Sequence, residues 1–552
     1  MGDASQGAAE SRPISGRHFV AETLESVDPG SCLSHLFLPV GANVLITGDP
    51  SAANANWLRA HYGSGVHIIH CAPHVVLAAI ERRFREIFRR RAIAGLAESE
   101  PQFSASTVIT QSQIVMFGAT AAFALLMLAL WPQASGILVT ALFGVLFVAN
   151  AGFRAVLLWI GAEERRPLPE LSAETLELPV YSILVPLYHE ANVMPALVRA
   201  LRALDYPQDR LDIKLIVETD DRDTAIVADA VAARDARFSV IRVPPGTPRT
   251  KPRACNYAMP FVLGEFTVIF DAEDRPEPDQ LRKAVATFRH APDNVACLQA
   301  RLNFYNANEN WLTRMFALDY ALWFDYLLPG LDRLNIPMPL GGTSNHFRTA
   351  ALRAIHCWDP YNVTEDADIG IRLARVGLRV RTLDSTTFEE ATNNLGNWLR
   401  QRSRWLKGYM QTWLVHMRSP LALLRNAGFW GFIGFQLFVG GTFLSALFNP
   451  VLWTIFLISK IFGVHIFGAS AAVMAAHVSV IALVAGNGMF AYLAMLAPFR
   501  RGWLELTPYG VTAPLYWLLI SCAGARALWQ LFFRPWYWEK TAHGLSKIEI
   551  VA

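Results

Sequence analysis

Acidic side chains follow three short apolar runs in the central part of the sequence, directly where each run ends. The clusters are LYHE at 187–190, ETDD at 218–221 and DAED at 271–274. If the runs are neighbouring parallel strands, the clusters meet at one edge of a sheet, where gathered like charges are costly unless a cation offsets them. A hard divalent ion held by carboxylate oxygens and substrate phosphates is the simplest resolution. Acidic loop ends without a ligand are the alternative.

Basic residues and a further acidic turn complete this set of polar groups. Lys251 and Arg253 lie between the second and third acidic clusters, where they would neutralise a diphosphate. The turn VTEDAD directly precedes a predicted helix at 369–376. Asp366 is a candidate general base, because a carboxylate can take a proton from a sugar hydroxyl as that hydroxyl attacks. Alternatively, Thr364 or Asp366 caps the helix, and the two roles are compatible.

The last polar cluster is QRSRWLKG at 401–408. On a helix, Gln401, Arg404 and Trp405 share one face. They suit a sugar and a diphosphate, since aromatic faces stack on pyranose rings and arginine binds phosphate. Four aromatic residues fall on about one quarter of the same helix: Trp398, Trp405, Tyr409 and Trp413. Such a stripe beside basic residues is typical of an interfacial helix at a membrane surface, which is the alternative explanation for it.

Composition indicates a membrane protein with a soluble enzyme inside it. Of 552 residues, 53% are hydrophobic and 17% charged, against roughly 25% charged in an average soluble domain. A net charge of +3 gives no reason to expect nucleic acid as a partner. The six cysteines are scattered, which argues against a disulfide framework and a zinc site. The first 20 residues have no apolar core, so no cleavable signal peptide is predicted.

The central domain must position the polar clusters. Apolar runs at 180–186, 213–217, 239–243 and 266–270 alternate with helical patterns such as 191–204. This alternation predicts a mainly parallel, doubly wound α/β sheet. Ligands of such sheets bind at the carboxyl ends of the strands, where the polar clusters lie.

Apolar runs of spanning length flank this domain on both sides. Two runs before it, 114–131 and 136–160, predict a hairpin, and three follow it at 429–462, 473–496 and 509–531. The run at 429–462 is long enough for two spans broken at Asn449-Pro450, which makes six in all.

Six spans place the central domain and the C-terminal tail in the cytoplasm. Six arginines cluster in a helix-like stretch shortly before the first span: Arg82, Arg83, Arg85, Arg89, Arg90 and Arg91. This cluster favours a cytoplasmic N-terminal side. The alternative explanation is a solvated helix face. With six spans, however, Arg500 and Arg501 fall on the outer side of the membrane, against the tendency of basic residues to lie on the cytoplasmic side. A re-entrant segment replacing one span is therefore the alternative topology.

Taken in order, the motifs VPLYHE, ETDD, TKPRACN, DAED, TED and QRSRW resemble family 2 glycosyltransferases of the processive, membrane-embedded kind, which include cellulose and hyaluronan synthases. The resemblance covers about 180–415, and the flanking spans match the layout of that family. It implies an α/β nucleotide-sugar-binding domain of the A type inserted between transmembrane helices, after a small N-terminal soluble α/β domain. It also implies an inverting mechanism and a Mg²⁺ or Mn²⁺ ion.

The resemblance further implies roles for individual residues. It assigns the nucleotide donor to Glu190, Asp220, Asp221, Lys251, Asp271, Gln401, Arg404 and Trp405. The ion falls to Asp271 and Glu273, in a motif that reads Asp-Ala-Glu where the family has Asp-x-Asp, so the choice of metal is open.

The base of the transfer is then Asp366. The acceptor side is assigned to Thr343, Ser344, Asn345, His346, Trp358, Glu365 and Trp405. The tail segment 538–544 resembles a gating segment that closes over the donor, anchored by Trp536 and Trp538.

These patterns predict seven segments: a disordered 1–16, a small cytoplasmic domain 17–100, a transmembrane hairpin 101–162, a catalytic domain 163–395, interfacial helices with QxxRW 396–426, transmembrane helices 427–531 and a gating tail 532–552.

The expected function is processive transfer from a UDP-sugar to a β-linked polysaccharide at a bacterial inner membrane, with the catalytic domain in the cytoplasm. The expected partners are a UDP-sugar, a glycan or lipid-linked acceptor, membrane lipids, and export or periplasmic subunits. Two alternatives remain: transfer of one sugar to a lipid or short acceptor, and a membrane scaffold or secretion component with a vestigial transferase domain.

Overall fold

The computed structural model describes residues 27–41, 44–163, 177–462, 471–541 and 544–546. The chain divides into two compact units, 1–91 and 92–552. The predicted disorder at 1–16 lies outside the described residues.

The first unit contains a small three-stranded sheet. Its strands are β1 (Phe37–Gly41), β2 (Val44–Thr47) and β3 (His67–His70), with β1 antiparallel and β3 parallel to β2. Its helices are α1 (Pro29–Ser34), α2 (Ala52–Tyr62) and the first part of α3 (Pro73–Ser99). The unit thus ends inside α3, nine residues before the predicted boundary at 100.

The second unit is built on an eight-stranded sheet with the order β6-β5-β4-β7-β10-β9-β11-β8. The strands are β4 (Tyr181–Leu187), β5 (Leu211–Glu218), β6 (Phe238–Val243), β7 (Phe266–Ile269), β8 (Arg275–Pro276), β9 (Val295–Phe304), β10 (Asn345–Arg348) and β11 (Arg379–Glu389).

The sheet is mainly parallel, as predicted. Strands β4 to β7 are parallel to one another, as expected from the apolar runs. Strands β9 and β11 are parallel to each other and run in the same direction as β4 to β7. The exceptions among the described strands are β10, which is antiparallel to β7 and β9, and β8, which is antiparallel to β11. Strands β4 and β7 are buried almost throughout, because both faces of the sheet are covered.

Helices cover the sheet and form the apolar part of the chain. They are α4 (Gln111–Leu130), α5 (Pro132–Ala162), α6 (Met194–Arg202), α7 (Arg222–Ala232), α8 (Lys251–Ala258), α9 (Gln280–His290), α10 (Trp311–Leu322), α11 (Leu328–Arg333), α12 (Thr349–Ala354), α13 (Glu365–Arg375), α14 (Leu395–His416), α15 (Pro420–Phe435), α16 (Gly441–Phe462), α17 (Ala471–Leu496) and α18 (Ala513–Phe533).

Among the described residues, four helical segments are long and apolar enough to cross a membrane: Gln111–Leu130, Pro132–Ala162, Pro420–Thr454 and Leu504–Phe533. The predicted hairpin corresponds to α4 and α5. The predicted break at Asn449-Pro450 is wrong, since α16 continues through it. The Thr454 hydroxyl donates to the Pro450 carbonyl at 2.8 Å, one turn further along the same helix.

Candidate active site

A cavity of about 1260 Å³ opens at the carboxyl ends of β4, β5 and β7. Its wall includes Glu190, Glu218 and Asp271, one residue from each acidic cluster, as the strand-end pattern predicts. It continues past α10 and α14 and between the candidate spans α5, α16 and α18. One space therefore connects the sheet edge to the helix bundle.

Lys251 lies at the centre of the sheet end of the cavity. It is the first residue of α8, and its Nζ is bonded to Asp271 and donates to the Gly342 carbonyl at 2.5 Å. Burial opposes the charge of this amine, but Asp271 and Glu365 raise the pKa of Lys251 above its ordinary value. The amine lines the cavity, and its contact with a diphosphate stays a prediction.

Carboxylates crowd the turn after β7. Burial and the neighbouring Asp271 raise the pKa of Glu273 and of Asp274 well above their ordinary values. Asp274 holds the turn, because it accepts the Asp271 N–H at 2.7 Å and the Thr343 hydroxyl. Asp271 and Glu273 line the cavity, and their role as ligands of an ion stays a prediction.

The carboxylate pair fits Mg²⁺ or Mn²⁺ as a partial ligand set. Within the described ranges, no group of three or more His, Cys, Asp or Glu side chains is arranged to hold a metal ion. Mg²⁺ commonly takes one or two carboxylates and completes its shell with substrate phosphates and water. A cation at Asp271 and Glu273 would also offset the charge that raises the pKa values here.

Of the three residues predicted to hold the nucleoside, Glu190 lines the cavity, whereas Asp220 and Asp221 do not. Glu190 lines the cavity and forms an ion pair with Lys540 at 3.0 Å. Asp220 pairs with Arg249 at 2.8 Å, and it is Arg249 that lies on the cavity wall. Asp221 is buried and has a different role from the predicted one. It caps α7 and accepts the His189 N–H at 2.5 Å, so it shapes the turn after β4 and does not line the cavity.

Asp366 is the second residue of α13 and faces the cavity. Its Oδ1 accepts the Ala367 N–H at 2.8 Å, and a Cβ added at Gly342 would lie 3.2 Å from its Oδ2. Burial raises the pKa of Asp366 to about 6, although the Ala367 N–H, Lys251 and Arg404 act against the shift. The predicted capping by Thr364 is wrong, because its hydroxyl has no hydrogen-bond partner among the described residues.

The QxxRW face of α14 forms the wall opposite Asp366. Gln401 Oε1 and Arg404 Nε are buried and lack hydrogen-bond partners in the described part of the chain, so a ligand would satisfy them. The Arg404 guanidinium lies 4.4 Å above the Trp538 ring. Trp405 stacks on Tyr320 and lines the cavity. The spacing thus correctly places these three side chains together.

The aromatic stripe of α14 packs against protein. Trp398 is fully buried and donates to the Tyr516 hydroxyl at 3.3 Å, and Trp413 donates to Gln436 at 2.8 Å. The packing partners are α18 and the turn before α16, which the sequence pattern of α14 alone does not reveal.

Four of the predicted acceptor residues do not reach the cavity. Ser344, Asn345, His346 and Trp358 are at most 1% exposed and none lines the cavity. His346 is hydrogen-bonded to Tyr181 at 2.7 Å, and Trp358 packs edge-on against Phe347. Both faces of β10 are covered, so its side chains pack in the core; Thr343, Glu365 and Trp405 do line the cavity.

Two residues beyond the QxxRW motif connect α14 to the tail. Lys407 Nζ donates to the carbonyls of Arg534 and Tyr537 at 3.2 and 2.9 Å. Gln411, one turn later, accepts the Val363 N–H at 3.0 Å and donates to the Pro535 carbonyl at 3.1 Å. Sequence analysis missed both, although Gln411 continues the face of Gln401 and Arg404 at helical spacing.

The described part of the predicted gating segment borders the cavity. Residues 533–538 and 540–541 line it, and Lys540 also donates to the His189 carbonyl at 3.1 Å. The backbone N–H groups of Gly544, Leu545 and Ser546 donate to Glu390. Trp536 donates to the Ala105 carbonyl at 2.9 Å. Residues 542–543 lie outside the described ranges, and gating by this segment stays a prediction.

Comparison with known proteins shows that the chain is similar to glycosyltransferases. Residues 266–522 match the family model described as "Glycosyl transferase family group 2". Among curated relatives, the "Probable glycosyltransferase YdaM" of Bacillus subtilis is 25% identical, over 54% of this chain and 71% of the relative. The "Beta-monoglucosyldiacylglycerol synthase" of Synechocystis is 28% identical over 46% and 53%, respectively. The "Probable glucomannan 4-beta-mannosyltransferase 10" of Arabidopsis thaliana is 26% identical over 48% and 50%. The chain thus spans about half the length of the last two.

Among solved structures, a mannosyltransferase from Pyrobaculum calidifontis in complex with GDP-Man and Mn²⁺ matches 71% of this chain and 99% of its own, with 17% identity and a TM-score of 0.45. The matched segment and the named relatives show that this chain is a glycosyltransferase, and over residues 266–522 it is similar to family 2 of these enzymes.

Proposed function

We propose that the protein transfers a hexose from a UDP-sugar, with inversion, to the end of a growing β-linked glycan. The observation that carries this proposal is the continuity of the cavity. The same space that contains Lys251, Asp271 and Asp366 is also lined by Asn449 of α16 and Tyr516 of α18, within candidate membrane spans. A glycan extended at the sheet edge would therefore have a continuous path into the helix bundle.

In the proposed reaction, Asp366 takes the proton of an acceptor hydroxyl as that oxygen attacks the anomeric carbon. The new carbon–oxygen bond forms as the bond from that carbon to the diphosphate breaks, and the electron pair leaves with UDP. Lys251 and Arg404 stabilise the charge that develops on the diphosphate. A divalent ion held by Asp271 and Glu273 would add Lewis-acid stabilisation of the same leaving group.

The test is transfer by the purified protein in nanodiscs. A panel of radiolabelled UDP-sugars, with GDP-mannose included, is offered with Mg²⁺ or Mn²⁺, and the products are sized. We expect long polymer from one donor, and a loss of about 10²–10⁴-fold in Asp366→Asn, the range that general acid–base catalysis typically contributes. Asp384→Asn is the matched control, because Asp384 is 73% exposed and outside the cavity. Wild-type rates in Asp366→Asn would remove this residue from the mechanism.

A second candidate is the transfer of one sugar to a lipid or short acceptor. It is favoured by the relative named as a monoglucosyldiacylglycerol synthase and by the apolar side chains of Phe147, Phe490 and Ile520 in the bundle part of the cavity. A product of fixed, short length would select it over the polymerase.

The location is part of the same proposal: a multi-pass protein of a bacterial inner membrane, with the transferase domain in the cytoplasm and export or periplasmic subunits as partners. A scaffold with a vestigial site is disfavoured, because Lys251, Asp271, Asp366 and Arg404 all remain chemically competent and share one cavity.

A further inference from the structure

An arginine lies inside the candidate membrane bundle, on the wall of the cavity. Arg154 belongs to α5, eight residues before the end of that helix at Ala162, or about 12 Å along its axis. Its Nη2 donates to the Thr442 hydroxyl at 2.8 Å, and its Nε to Asn150 Oδ1 at 3.4 Å. Its guanidinium also lies within 5.4–5.9 Å of three aromatic rings, those of Trp323, Phe438 and Phe490.

The charge of Arg154 is not balanced locally. Among the described residues, no carboxylate oxygen lies within the 4.0 Å of an ion pair from its guanidinium. The acidic residue that acts on it, Asp319, is bonded to Arg402 at 2.6 Å. Asp319 is thus already paired with another guanidinium on the cavity wall, and Arg402 Nε is itself buried without a partner in the described part of the chain.

This arrangement is costly unless a ligand uses it. A cation within a membrane span is expensive and marks a substrate or ion pathway by default. The Nη1 group of Arg154 makes no hydrogen bond to any described residue, so one edge of its fork is open for a planar or tetrahedral anion. On the same cavity wall, Asn449 donates to Asn487 at 3.2 Å, and its Oδ1 is buried without a partner among the described residues, which suits a hydroxyl-rich ligand.

We propose that Arg154 binds an anionic oxygen group, a carboxylate or a phosphate, on the acceptor, in the part of the cavity that lies within the helix bundle. The proposal rests on the proposed function in one respect only, namely that the bound molecule is the acceptor. A purely structural Arg154, which ties α5 to α16 through Thr442, is the opposing explanation, and it predicts no preference for acidic ligands.

Binding without a donor tests this directly. The full chain is purified in an uncharged detergent, and affinity is measured by calorimetry for two probe pairs. One pair is dihexanoyl phosphatidic acid and dihexanoylglycerol. The other is a β-linked tetrasaccharide with one glucuronate and its neutral glucose counterpart. We expect the acidic member of one pair to bind about 10- to 100-fold more tightly than its neutral partner, as for a charge-assisted hydrogen bond. The responding pair identifies the source, lipid phosphate or sugar carboxylate.

The variants separate charge from packing. Arg154→Met should abolish the preference, and Arg154→Lys should retain part of it. Arg314→Met is the matched control, because Arg314 stacks on Tyr509 and bonds to its hydroxyl at 2.9 Å but does not line the cavity. Equal binding of acidic and neutral probes by the wild-type protein would overturn the proposal, as would a preference that survives Arg154→Met. The wild-type comparison decides even if Arg154→Met fails to fold.

The outcome is also distinguishable from the fate of the proposed function. Acid-selective binding in a protein that transfers no sugar would support the role of Arg154 and count against the transferase proposal. Active transfer to neutral acceptors, with no acid-selective binding, would support the transferase proposal and count against the role of Arg154.

Discussion

Gly408 lies where α14 passes the turn that carries Asp366, and we predict that Gly408→Ala disables transfer. A Cβ at this position would overlap the Thr364 hydroxyl and come within 2.6 Å of Thr364 Cβ, whereas ordinary van der Waals contact begins at 3.4 Å. Thr364 is buried, and its Cβ cannot rotate away. The helix and the turn must therefore separate by most of an ångström.

The separation acts on the reaction because Arg404 and Trp405 lie on α14, whereas Asp366 follows Thr364 on the other side of the gap. A misplacement of about 1 Å can cost about 10²-fold in rate, so we expect kcat to fall about 100-fold. Overpacking destabilises by about 1–3 kcal/mol, which the better helix propensity of alanine offsets by about 1 kcal/mol. The Tm should therefore fall by only a few degrees.

The assay measures initial rates of sugar transfer in nanodiscs, together with thermal unfolding. Gly95→Ala in α3 is the matched control, since nothing lies within 4 Å of its added Cβ, and it should keep the full rate. Thr364→Gly in the Gly408→Ala background should restore part of the rate by removing the overlapping atoms. A kcat for folded Gly408→Ala within about twofold of wild type would refute the reasoning that this spacing sets the geometry of the reaction.

Three other predictions concern the same cavity. Burial raises the pKa of Asp366 to about 6, so the base form of this carboxylate is lost as the pH falls through that value. Below it, kcat should drop about tenfold per pH unit, which initial rates between pH 5 and 8 would measure. Gln411→Met removes the bonds to Val363 and Pro535. The KM for the donor should therefore rise by about 3- to 10-fold, and the tail should become sensitive to limited proteolysis. The variant Gln411→Glu keeps the acceptor for the Val363 N–H, so its kcat should be less affected. Glu273→Asp shortens one proposed metal ligand by a methylene, and the ratio of Mg²⁺- to Mn²⁺-supported rates should change at least severalfold; an unchanged ratio would exclude Glu273 as a ligand.

Much of the sheet was predictable from local pattern. The run at 180–186 is almost uninterrupted by polar residues, as expected for a strand buried on both faces, and it became β4. Strands β9 and β11 were not predicted. Arg301 of β9 pairs with Asp384 of β11 at 2.9 Å, and this partnership across the sheet cannot be read from either segment alone.

The site was predictable where it depends on spacing and not where it depends on packing. Helical periodicity correctly placed Gln401, Arg404 and Trp405 on one face, because that face is a property of the helix itself. The sequence position of His346 does not reveal that its Nδ1 is hydrogen-bonded to the Tyr181 hydroxyl in the core. The tail is held in part through backbone groups, as in the bonds from Lys407 to two carbonyls, and these groups leave no trace in the sequence of the tail.

The order in which the wall of the cavity is synthesised has a consequence for biogenesis. Its residues range from Phe147 to Thr541, and the sheet strands are complete by Glu389. A ribosome therefore releases the whole transferase sheet well before it has made α18 and the segment that contacts Lys407 and Gln411. We expect nascent chains halted ahead of Arg534 to hold a folded sheet yet consume no nucleotide sugar. Translation itself would thus delay turnover until the last helix and the tail that complete the wall of the cavity exist.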